Sequence, residues 1–517
     1  MPKTTIIVFI ISAVLSLLLT GVMRRLAPRL GLLDFPDGHR KLHARPVALG
    51  GGVAVFLAAL TVIVGLTIVP NRAQADLLDN SRHLLALFVA ATILVGLGLI
   101  DDRFQIRGRL KLCGQIGAAS VLVASGLVIH RFELFGSWNV ELGLLSIPFT
   151  LFWLLGAINA MNLLDGMDGL ATLLGTILVA TIAGLGFITH HHAVAIIGVV
   201  FAGSLIGFLR YNFPPASIYL GDAGSMLIGL VVGALAILGA LKASGTVLLA
   251  APLAVWTIPI LDSLAAIMRR RLAGRSIYTT DRGHLHHRLL ELLGSNRKAL
   301  GFVAVFCALT STAALLSAYR QNDLIALLAS AAVVVIFVVS GIFGRAELRL
   351  LTTRIRQFGW SLFEKSSGPQ ARVYQQAVRL QGTRPWESLW AMLTTNAAQI
   401  GLKEIRLDVN LPRVQEGYHA YWEFPLPGES HHVWKMELPL ILHGRSMGSL
   451  MIVGEHAGES AGEEMRKLLD LLEPFENKLQ ALTWDPVPVP VAIAVDTQQS
   501  AIGQPEPTIE LARLHPK

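Results

Sequence analysis

Long apolar runs, separated by short polar stretches, dominate the first 345 residues of this 517-residue chain. A helix needs about 20 predominantly apolar residues to cross the hydrocarbon core of a bilayer. The runs that approach this length lie at roughly 4–23, 47–70, 83–100, 110–130, 144–164, 169–189, 193–213, 223–241, 246–268, 299–319 and 323–343. The pattern therefore predicts an all-α polytopic membrane protein with about 11 transmembrane helices over residues 1–345.

The pattern becomes that of a soluble protein after this region. A basic linker at 346–369 leads into residues 370–484, where helical stretches at 386–400 and 463–482 enclose strand-like runs at 403–411, 418–426, 432–442 and 448–455. This order predicts a C-terminal α/β domain, which loosely resembles ligand-sensing domains of the GAF type. The proline-rich segment at 485–517 is predicted to be disordered.

Composition supports the membrane assignment and narrows the chemistry. Hydrophobic residues make up 53% of the chain and charged residues only 15%, which excludes an ordinary soluble protein. The net charge of +8 is concentrated beside apolar runs, as membrane orientation requires, so no nucleic-acid partner is expected. Cys113 and Cys307 lie in separate apolar runs, which favours packing roles over a disulfide or a thiolate metal site.

Basic residues also predict the orientation, because they stay preferentially in the cytoplasm. Loop 24–46 contains six Lys or Arg residues, stretch 101–111 contains four and loop 269–298 contains eight, whereas the intervening loops are poor in them. The N-terminus is therefore predicted outside and the C-terminus in the cytoplasm. Five polar clusters, at 39–45, 101–102, 159–168, 221–225 and 281–288, then share the cytoplasmic face of the membrane.

The first acidic cluster is the pair Asp101 and Asp102 at the end of the third apolar run. A solvated helix end is the simple explanation. However, acidic groups at a helix C-terminus oppose the helix dipole. Two adjacent carboxylates also repel each other unless a cation or a raised pKa relieves them. A functional role is therefore predicted for this pair.

A second polar cluster ends the fifth apolar run and begins with Asn159. Asn162, Asp165 and Asp168 follow at every third position, so on a helix they would share one face. Hard oxygen ligands in this arrangement suit Mg²⁺, with Mn²⁺ as the alternative. A capped helix junction is the competing explanation, but it accounts for one aspartate rather than two aspartates and an asparagine.

Two further clusters flank the later apolar runs. Asp222 follows Gly221 at the start of a run, where it could also be a simple helix N-cap. The most basic loop carries Arg282, His284, His286 and His287, which favour anion binding over a zinc site because no cysteine is nearby. His190, His191 and His192 fall on the opposite predicted face and indicate only a polar loop.

Carboxylates that can bind a divalent ion, together with cationic side chains that can bind anions, are typical of enzymes that catalyse phosphoryl transfer. Their position at a membrane face implies that one reactant is a lipid phosphate. A transporter or flippase is the first alternative, but its ionisable residues should lie near the membrane midplane and in repeated halves. An intramembrane prenyltransferase is the second, and it gives the histidine-rich loop no role.

The chain resembles the polyprenyl-phosphate N-acetylhexosamine-1-phosphate transferases over about residues 1–345. The resemblance rests on motifs in matching order: Gly-Gly-Gly at 50–52, Asp101-Asp102, the segment 159–171, Gly-Asp-Ala-Gly-Ser at 221–225, and Pro259 with Asp262 before Arg269-Arg270. His-Leu-His-His at 284–287 is similar to the branch that initiates O-antigen or teichoic acid. The peptidoglycan branch instead carries three consecutive histidines.

The resemblance implies that a polyprenyl phosphate, such as undecaprenyl phosphate, attacks UDP-GlcNAc or a related UDP-N-acetylhexosamine and releases UMP. The lipid-linked sugar would begin a cell-surface polysaccharide, and the resemblance places the reaction at the inner membrane of a bacterium. Asp222 with Asn162 or Asp165 would hold Mg²⁺, and Asp101 or Asp102 would meet the lipid phosphate. The substrate-binding residues implied are Lys41, Arg45, Asn159, Asp168, Asn212, Tyr219, Arg282, His284, His286 and His287. A homodimer and a ligand or partner of the C-terminal domain are left open.

Overall fold

The computed structural model describes most of the membrane region and much of the C-terminal region. The described residues are 2–35, 46–71, 73–134, 138–241, 256–272, 285–340, 374–381, 385–395, 397–411, 416–424, 433–442, 445–455 and 461–484. The predicted linker at 346–369 and the segment at 485–517 lie outside these ranges.

The first part of the chain is a succession of helices. They are α1 (Pro2–Leu26), α2 (Gly51–Ile68), α3 (Gln74–Asp79), α4 (Ser81–Phe104), α5 (Gly108–Ala124), α6 (Ser146–Leu164), α7 (Leu170–Ile188), α8 (His192–Asn212), α9 (Gly221–Leu241), α10 (Thr257–Leu272), α11 (Leu285–Leu293), α12 (Asn296–Arg320) and α13 (Asp323–Val339). Two short antiparallel hairpins join some of them: β1 (Leu33–Asp34) with β2 (Val47–Ala48), and β3 (Arg131–Leu134) with β4 (Trp138–Glu141).

Eight helices among the described residues are long and apolar enough to cross a membrane, namely α1, α2, α4, α6, α7, α8, α9 and α12, the α6 span counted from Gly143. This finding confirms a multi-pass helical membrane protein but not the count of eleven. At 17 residues each, α5 and α13 are shorter than a full span. The predicted run 246–268 extends into residues outside the described ranges.

Helix α9 forms the centre of this helical region. Of the membrane-spanning part of α9, 89% is buried inside the protein. Of the corresponding part of α1, only 28% is buried, so α1 lies at the periphery. Small residues allow neighbouring helices to approach α9 closely, as is usual between membrane helices. A Cβ added at Gly52 of α2 would lie 2.2 Å from the backbone nitrogen of Gly224 in α9.

The C-terminal region contains a five-stranded antiparallel sheet. Its strands are β5 (Tyr374–Gln381), β6 (Leu402–Leu411), β7 (Glu416–Glu423), β8 (Val433–Leu442) and β9 (Arg445–Glu455), in the order β5-β7-β6-β9-β8. Ile405, Leu407 and Val409 alternate along β6 as buried residues and share a separate core with helices α14 (Trp386–Thr395) and α15 (Ala461–Trp484). The sequence pattern missed β5, whose polar residues Gln375 and Gln376 hide its alternation.

Candidate active site

Four helix ends meet at one end of the helical region: the C-termini of α4 and α6 and the N-termini of α5 and α9. Lys111, in the first turn of α5, lies at their meeting point. Its Nζ atom is 2.8 Å from Oδ2 of Asp101 and 2.5 Å from Oδ2 of Asp222. It also donates a hydrogen bond to Oδ1 of Asn162 at 3.1 Å. One ammonium group therefore joins side chains that are far apart in the sequence.

Asp102 and Asp222 are connected through the backbone. The backbone N–H of Asp222 donates to Oδ1 of Asp102 at 2.9 Å, so Asp102 receives one of the unpaired amides at the start of α9. The preceding Gly221 has φ +74°, and a Cβ added there would lie 2.5 Å from Oδ2 of Asp102. Glycine is therefore required at this position by conformation and by space.

Two asparagines on α6 have different surroundings. The Asn162 side-chain amide donates to Oδ1 of Asp222 at 2.7 Å and to the Ser225 hydroxyl at 3.0 Å. The Asn159 amide, one turn earlier, donates to Oε1 of Gln115 at 2.9 Å. Asn162 thus belongs to the polar cluster itself, whereas Asn159 connects α6 to α5 beside it.

Asp165 follows the last residue of α6 and is the C-cap of that helix. Burial raises the pKa of its carboxyl well above the usual range, and the neighbouring Asp222, Asp102 and Asp168 raise the pKa further. The spacing of Asn162, Asp165 and Asp168 would put them on one face only if they lay on one helix. Helix α6 ends at Leu164, as the predicted run 144–164 does, and Gly166 and Gly169 lie in the turn that precedes α7.

Asp168 lies within that turn, against the loop between α8 and α9. Its Oδ2 accepts a hydrogen bond from the backbone N–H of Ala216 at 2.9 Å. Burial raises the pKa of the Tyr219 hydroxyl above its usual range, and the nearby Asp168 carboxylate, to which it is hydrogen-bonded, adds to this effect. Asp168 and Tyr219 therefore form a second polar group next to the Lys111 cluster.

The Asn212 side-chain amide holds the loop between α8 and α9 in place. It is 4% exposed, its Oδ1 accepts from Thr172 Oγ1 at 2.7 Å, and its Nδ2 donates to the Ile218 carbonyl at 3.0 Å. Both ends of the side chain are thus engaged inside the protein. The structure gives Asn212 a positioning role for the loop that carries Tyr219.

Several residues singled out by the sequence cannot be placed relative to this cluster. Lys41, Arg45, Arg282 and His284 lie outside the described ranges. His286 and His287 belong to helix α11, of which the backbone is described at these positions. The first amide of that helix, from Leu285, donates to Oδ1 of the fully buried Asp262 in α10 at 2.8 Å.

Sequence reasoning missed two members of the site, Lys111 and Gln115. Lys111 falls at the start of the predicted run 110–130, where a lysine is costly and by itself marks a candidate functional residue. Gln115 lies one turn later in α5 and is 1% exposed, with its amide bonded to Asn159. An ionisable residue and a buried amide in an apolar run were the signals that could have identified them.

The cluster offers oxygen atoms of the kind that divalent cations bind. The carboxyl groups of Asp101 and Asp222 contact the Lys111 ammonium group, and Asp102 and Asp165 lie near Asp222. Oδ2 of Asp102 is buried and has no hydrogen-bond partner among the described residues, which is costly for a carboxylate. No group of three or more His, Cys, Asp or Glu side chains in the described part of the chain is arranged to hold a metal ion by itself. A bound ion would therefore keep several water or substrate ligands, as Mg²⁺ usually does.

Comparisons with known proteins point to one family. Residues 84–240 match the family described as Glycosyl transferase family 4. The chain is 31% identical over 296 residues to a probable undecaprenyl-phosphate N-acetylglucosaminyl 1-phosphate transferase of Bacillus subtilis, covering 57% of this chain and 80% of the relative. It is 35% identical over 346 residues to a decaprenyl-phosphate N-acetylglucosaminephosphotransferase of Mycobacterium tuberculosis, covering 62% and 85%. It is 28% identical over 307 residues to the Escherichia coli undecaprenyl-phosphate alpha-N-acetylglucosaminyl 1-phosphate transferase, covering 58% and 80%.

Proposed function

The chain belongs to the polyprenyl-phosphate N-acetylglucosamine-1-phosphate transferases of glycosyl transferase family 4, and we propose the reaction and the residue roles that follow from this membership. The protein transfers GlcNAc-1-phosphate from UDP-GlcNAc to a polyprenyl phosphate and releases UMP. The product is the lipid-diphospho-sugar that initiates a cell-surface polysaccharide. The observation that carries this proposal is the convergence of Asp101, Asp222 and Asn162 on Lys111 at the ends of membrane helices.

In the reaction, a phosphate oxygen of the lipid attacks the β-phosphorus of the nucleotide sugar. A new P–O bond forms to the lipid phosphate, and the bond between the β-phosphorus and the UMP oxygen breaks. One diphosphate linkage replaces another, so the reaction is close to energetically neutral. The enzyme therefore has to align three charged groups and lower the repulsion between them.

Lys111 provides positive charge at the centre of the cluster, where the phosphate groups would meet. Asp101 and Asp102 orient the attacking lipid phosphate indirectly, Asp101 by holding the Lys111 ammonium group and Asp102 by accepting the backbone N–H of Asp222. A strong base is not required, because the second pKa of a phosphate monoester is about 6 and the group is largely ionised at neutral pH. We assign these aspartates to orientation rather than to proton removal.

Magnesium is the metal that this donor set fits best, with Mn²⁺ as the alternative. Asp222, Asn162 and Asp165 would hold it, and the bound ion would neutralise charge on the diphosphate. Asp165 would then bind as a carboxylate, because a cation opposes the burial and the neighbouring charges that raise its pKa. Asp222 keeps its orientation through the hydrogen bond that it accepts from the Asn162 amide.

Asp168 and Tyr219 would contact the uridine end of the donor, and Asn212 supports the loop between them. The diphosphate and sugar would meet Lys41, Arg45, Arg282, His284, His286 and His287. Asp262 positions the start of the helix that carries the last two histidines. We place the site on the cytoplasmic face of a bacterial inner membrane, with the N-terminus outside, because basic residues are concentrated in the loops on that side.

The C-terminal domain has a hydrophobic core of its own, which includes Trp386, Leu407 and Ile452. We propose that it regulates the transferase or recruits a partner. Deletion of residues after about 350 should leave basal turnover intact and remove that regulation or association. Unchanged turnover, regulation and associations would contradict this role.

The experiment that tests the transferase reaction uses purified full-length protein, UDP-GlcNAc and undecaprenyl phosphate, with UMP release as the readout. UMP should appear only with the lipid, should be lost with EDTA and should return with added Mg²⁺. UDP-GalNAc in place of UDP-GlcNAc tests the choice of sugar. No lipid-dependent UMP release from any UDP-N-acetylhexosamine would contradict the proposal and favour transport or prenyl transfer.

A further inference from the structure

A basic cavity lies among the ends of α1, α8 and α12. It has a volume of about 420 Å³ and is lined by Arg24, Arg210, Arg297, Tyr211, Phe213, Pro214, Pro215 and Ser217. None of these lining residues belongs to the Lys111 cluster. Three guanidinium groups around one space indicate a site for an anion, since arginine favours phosphate recognition.

Two of the three arginines are held by aromatic rings. The Arg24 guanidinium carbon lies 5.4 Å from the centre of the Tyr211 ring, and that of Arg297 lies 6.0 Å from the centre of the Phe213 ring. Nε of Arg297 also donates to the Pro214 carbonyl at 3.1 Å. These contacts reduce the side-chain freedom that an anion would otherwise have to restrict.

The charge of the cavity is not balanced within the described residues. None of Arg24, Arg210 and Arg297 forms an ion pair with a carboxylate there, and the lining contains no acidic residue. By contrast, Lys111 in the neighbouring cluster contacts two aspartates. The arginine charges of the cavity are therefore not compensated by the described residues, and the cavity does not need a metal to hold an anion.

The surroundings identify the source of the anion. The cavity is at the membrane boundary, and apolar residues on the same helices are exposed beyond it: Val22 of α1 at 60%, Ile206 of α8 at 39% and Val305 of α12 at 57%. Ile206 precedes Arg210 by one helical turn and Val305 follows Arg297 by about two turns, so each shares a face with its arginine. These surfaces suit acyl chains, and the arginines lie at the depth of lipid phosphates.

We propose that this cavity binds the phosphate of an anionic membrane phospholipid, whose acyl chains lie along the exposed faces of α8 and α12. The site does not take part in the transferase reaction and needs neither the donor nor the acceptor. Its test is therefore a binding measurement, which can succeed or fail independently of the proposed function.

The experiment measures phosphatidylglycerol bound to the full-length protein in detergent by native mass spectrometry, with phosphatidylcholine as the zwitterionic comparison. The variant carries Arg24→Gln and Arg297→Gln together. Its matched control is Arg320→Gln, because Arg320 ends the same helix α12 on the opposite side of the membrane. Each arginine removed from the cavity should weaken phosphatidylglycerol binding about fivefold, and phosphatidylcholine should bind weakly throughout.

Retention of tight phosphatidylglycerol binding in the double variant, or an equal loss in Arg320→Gln, would overturn the proposal. Displacement of the lipid by millimolar inorganic phosphate would identify a soluble phosphate as the ligand instead. Displacement by UDP-GlcNAc would assign the cavity to the donor site and would also overturn it. A double variant with Arg24→Lys and Arg297→Lys guards against misfolding, since by retaining both charges it should bind phosphatidylglycerol more tightly than the double glutamine variant.

Discussion

Nζ of Lys111 lies 2.5 Å from Oδ2 of Asp222, and this contact joins the N-termini of α5 and α9 at the centre of the site. The two residues are 111 positions apart in the chain. Both helix N-termini carry partial positive charge, which favours the carboxylate and opposes the ammonium group. The pair is therefore stabilised chiefly by direct attraction in a partly buried setting, and removal of either residue leaves the other without its main partner.

Replacement of Lys111 by methionine should lower kcat by about 10²- to 10³-fold, because a preorganised positive charge would be lost from the phosphoryl-transfer centre. Arg109→Met is the matched control, since Arg109 is an exposed cation two residues away on the same helix. Steady-state UMP release measures both variants. Equal activity of Lys111→Met and Arg109→Met would contradict the role of Lys111.

Gly221→Ala should destabilise the site and inactivate the enzyme. Its backbone φ of +74° costs an L-residue about 1 to 2 kcal/mol, and the new methyl group would also contact Oδ2 of Asp102. Gly117→Ala on α5 is the control, because nothing lies within 4 Å of its added Cβ and alanine favours a helix. Thermal unfolding in detergent and UMP release should separate the two variants. An unaffected Gly221→Ala would show that Asp102 is not packed against this turn.

Asp165→Asn should abolish turnover but raise thermal stability in the absence of divalent cations. The folded protein favours the neutral carboxyl, so Asp165 contributes stability below its unfolded pKa of about 3.9, and this contribution is lost as the pH rises toward the raised folded value. The advantage of the asparagine should therefore be larger at about pH 8 than at about pH 5. Thermal unfolding with EDTA at both values measures it.

The control for that prediction is Asp79→Asn, because Asp79 is an exposed residue at the end of α3. It should show little change in stability and no loss of turnover. A pH-independent effect of Asp165→Asn, or a loss of stability at neutral pH, would mean that the Asp165 carboxylate is already compensated without a metal.

Asp262→Ala should raise the KM for the nucleotide sugar about tenfold and leave the KM for the lipid nearly unchanged. The substitution removes the carboxylate that accepts the first amide of α11, and loss of such a cap costs about 1 kcal/mol or more. Ser263→Ala is the control, because its hydroxyl has no partner among the described residues. A parallel rise in both KM values would indicate general destabilisation instead of a displaced donor-side helix.

The sequence was most informative where one pattern decided the structure. Apolar length predicted the membrane helices, and alternation predicted strands such as β6, where Ile405, Leu407 and Val409 are buried in turn. It also located the end of α6, because the predicted run 144–164 stops where that helix stops and the glycines at 166 and 169 permit a break there. The every-third spacing of Asn162, Asp165 and Asp168 would place them on one face only of a continuous helix, which this break prevents.

The sequence pattern also did not predict which side chain each acidic residue contacts. The approach of Lys111 to Asp222 depends on how α5 and α9 pack, which neither apolar run specifies alone. The contacts of Asn212 were likewise not predicted: its side-chain amide is bonded to Thr172 and to the Ile218 carbonyl, and the substrate contact that the resemblance implies for it stays a prediction. Spacing identifies polar groups near a site, and tertiary packing decides which of them contact one another.

The central claim is that Lys111 and Asp222 act as one phosphoryl-transfer centre. A double-mutant cycle of Lys111→Met and Asp222→Asn, measured as lipid-dependent UMP release from UDP-GlcNAc, tests it most directly. Residues that act as a unit are strongly non-additive, so the double variant should be about as active as the weaker single variant. Independent, multiplying losses in the double variant, or single variants with wild-type rates, would contradict the claim.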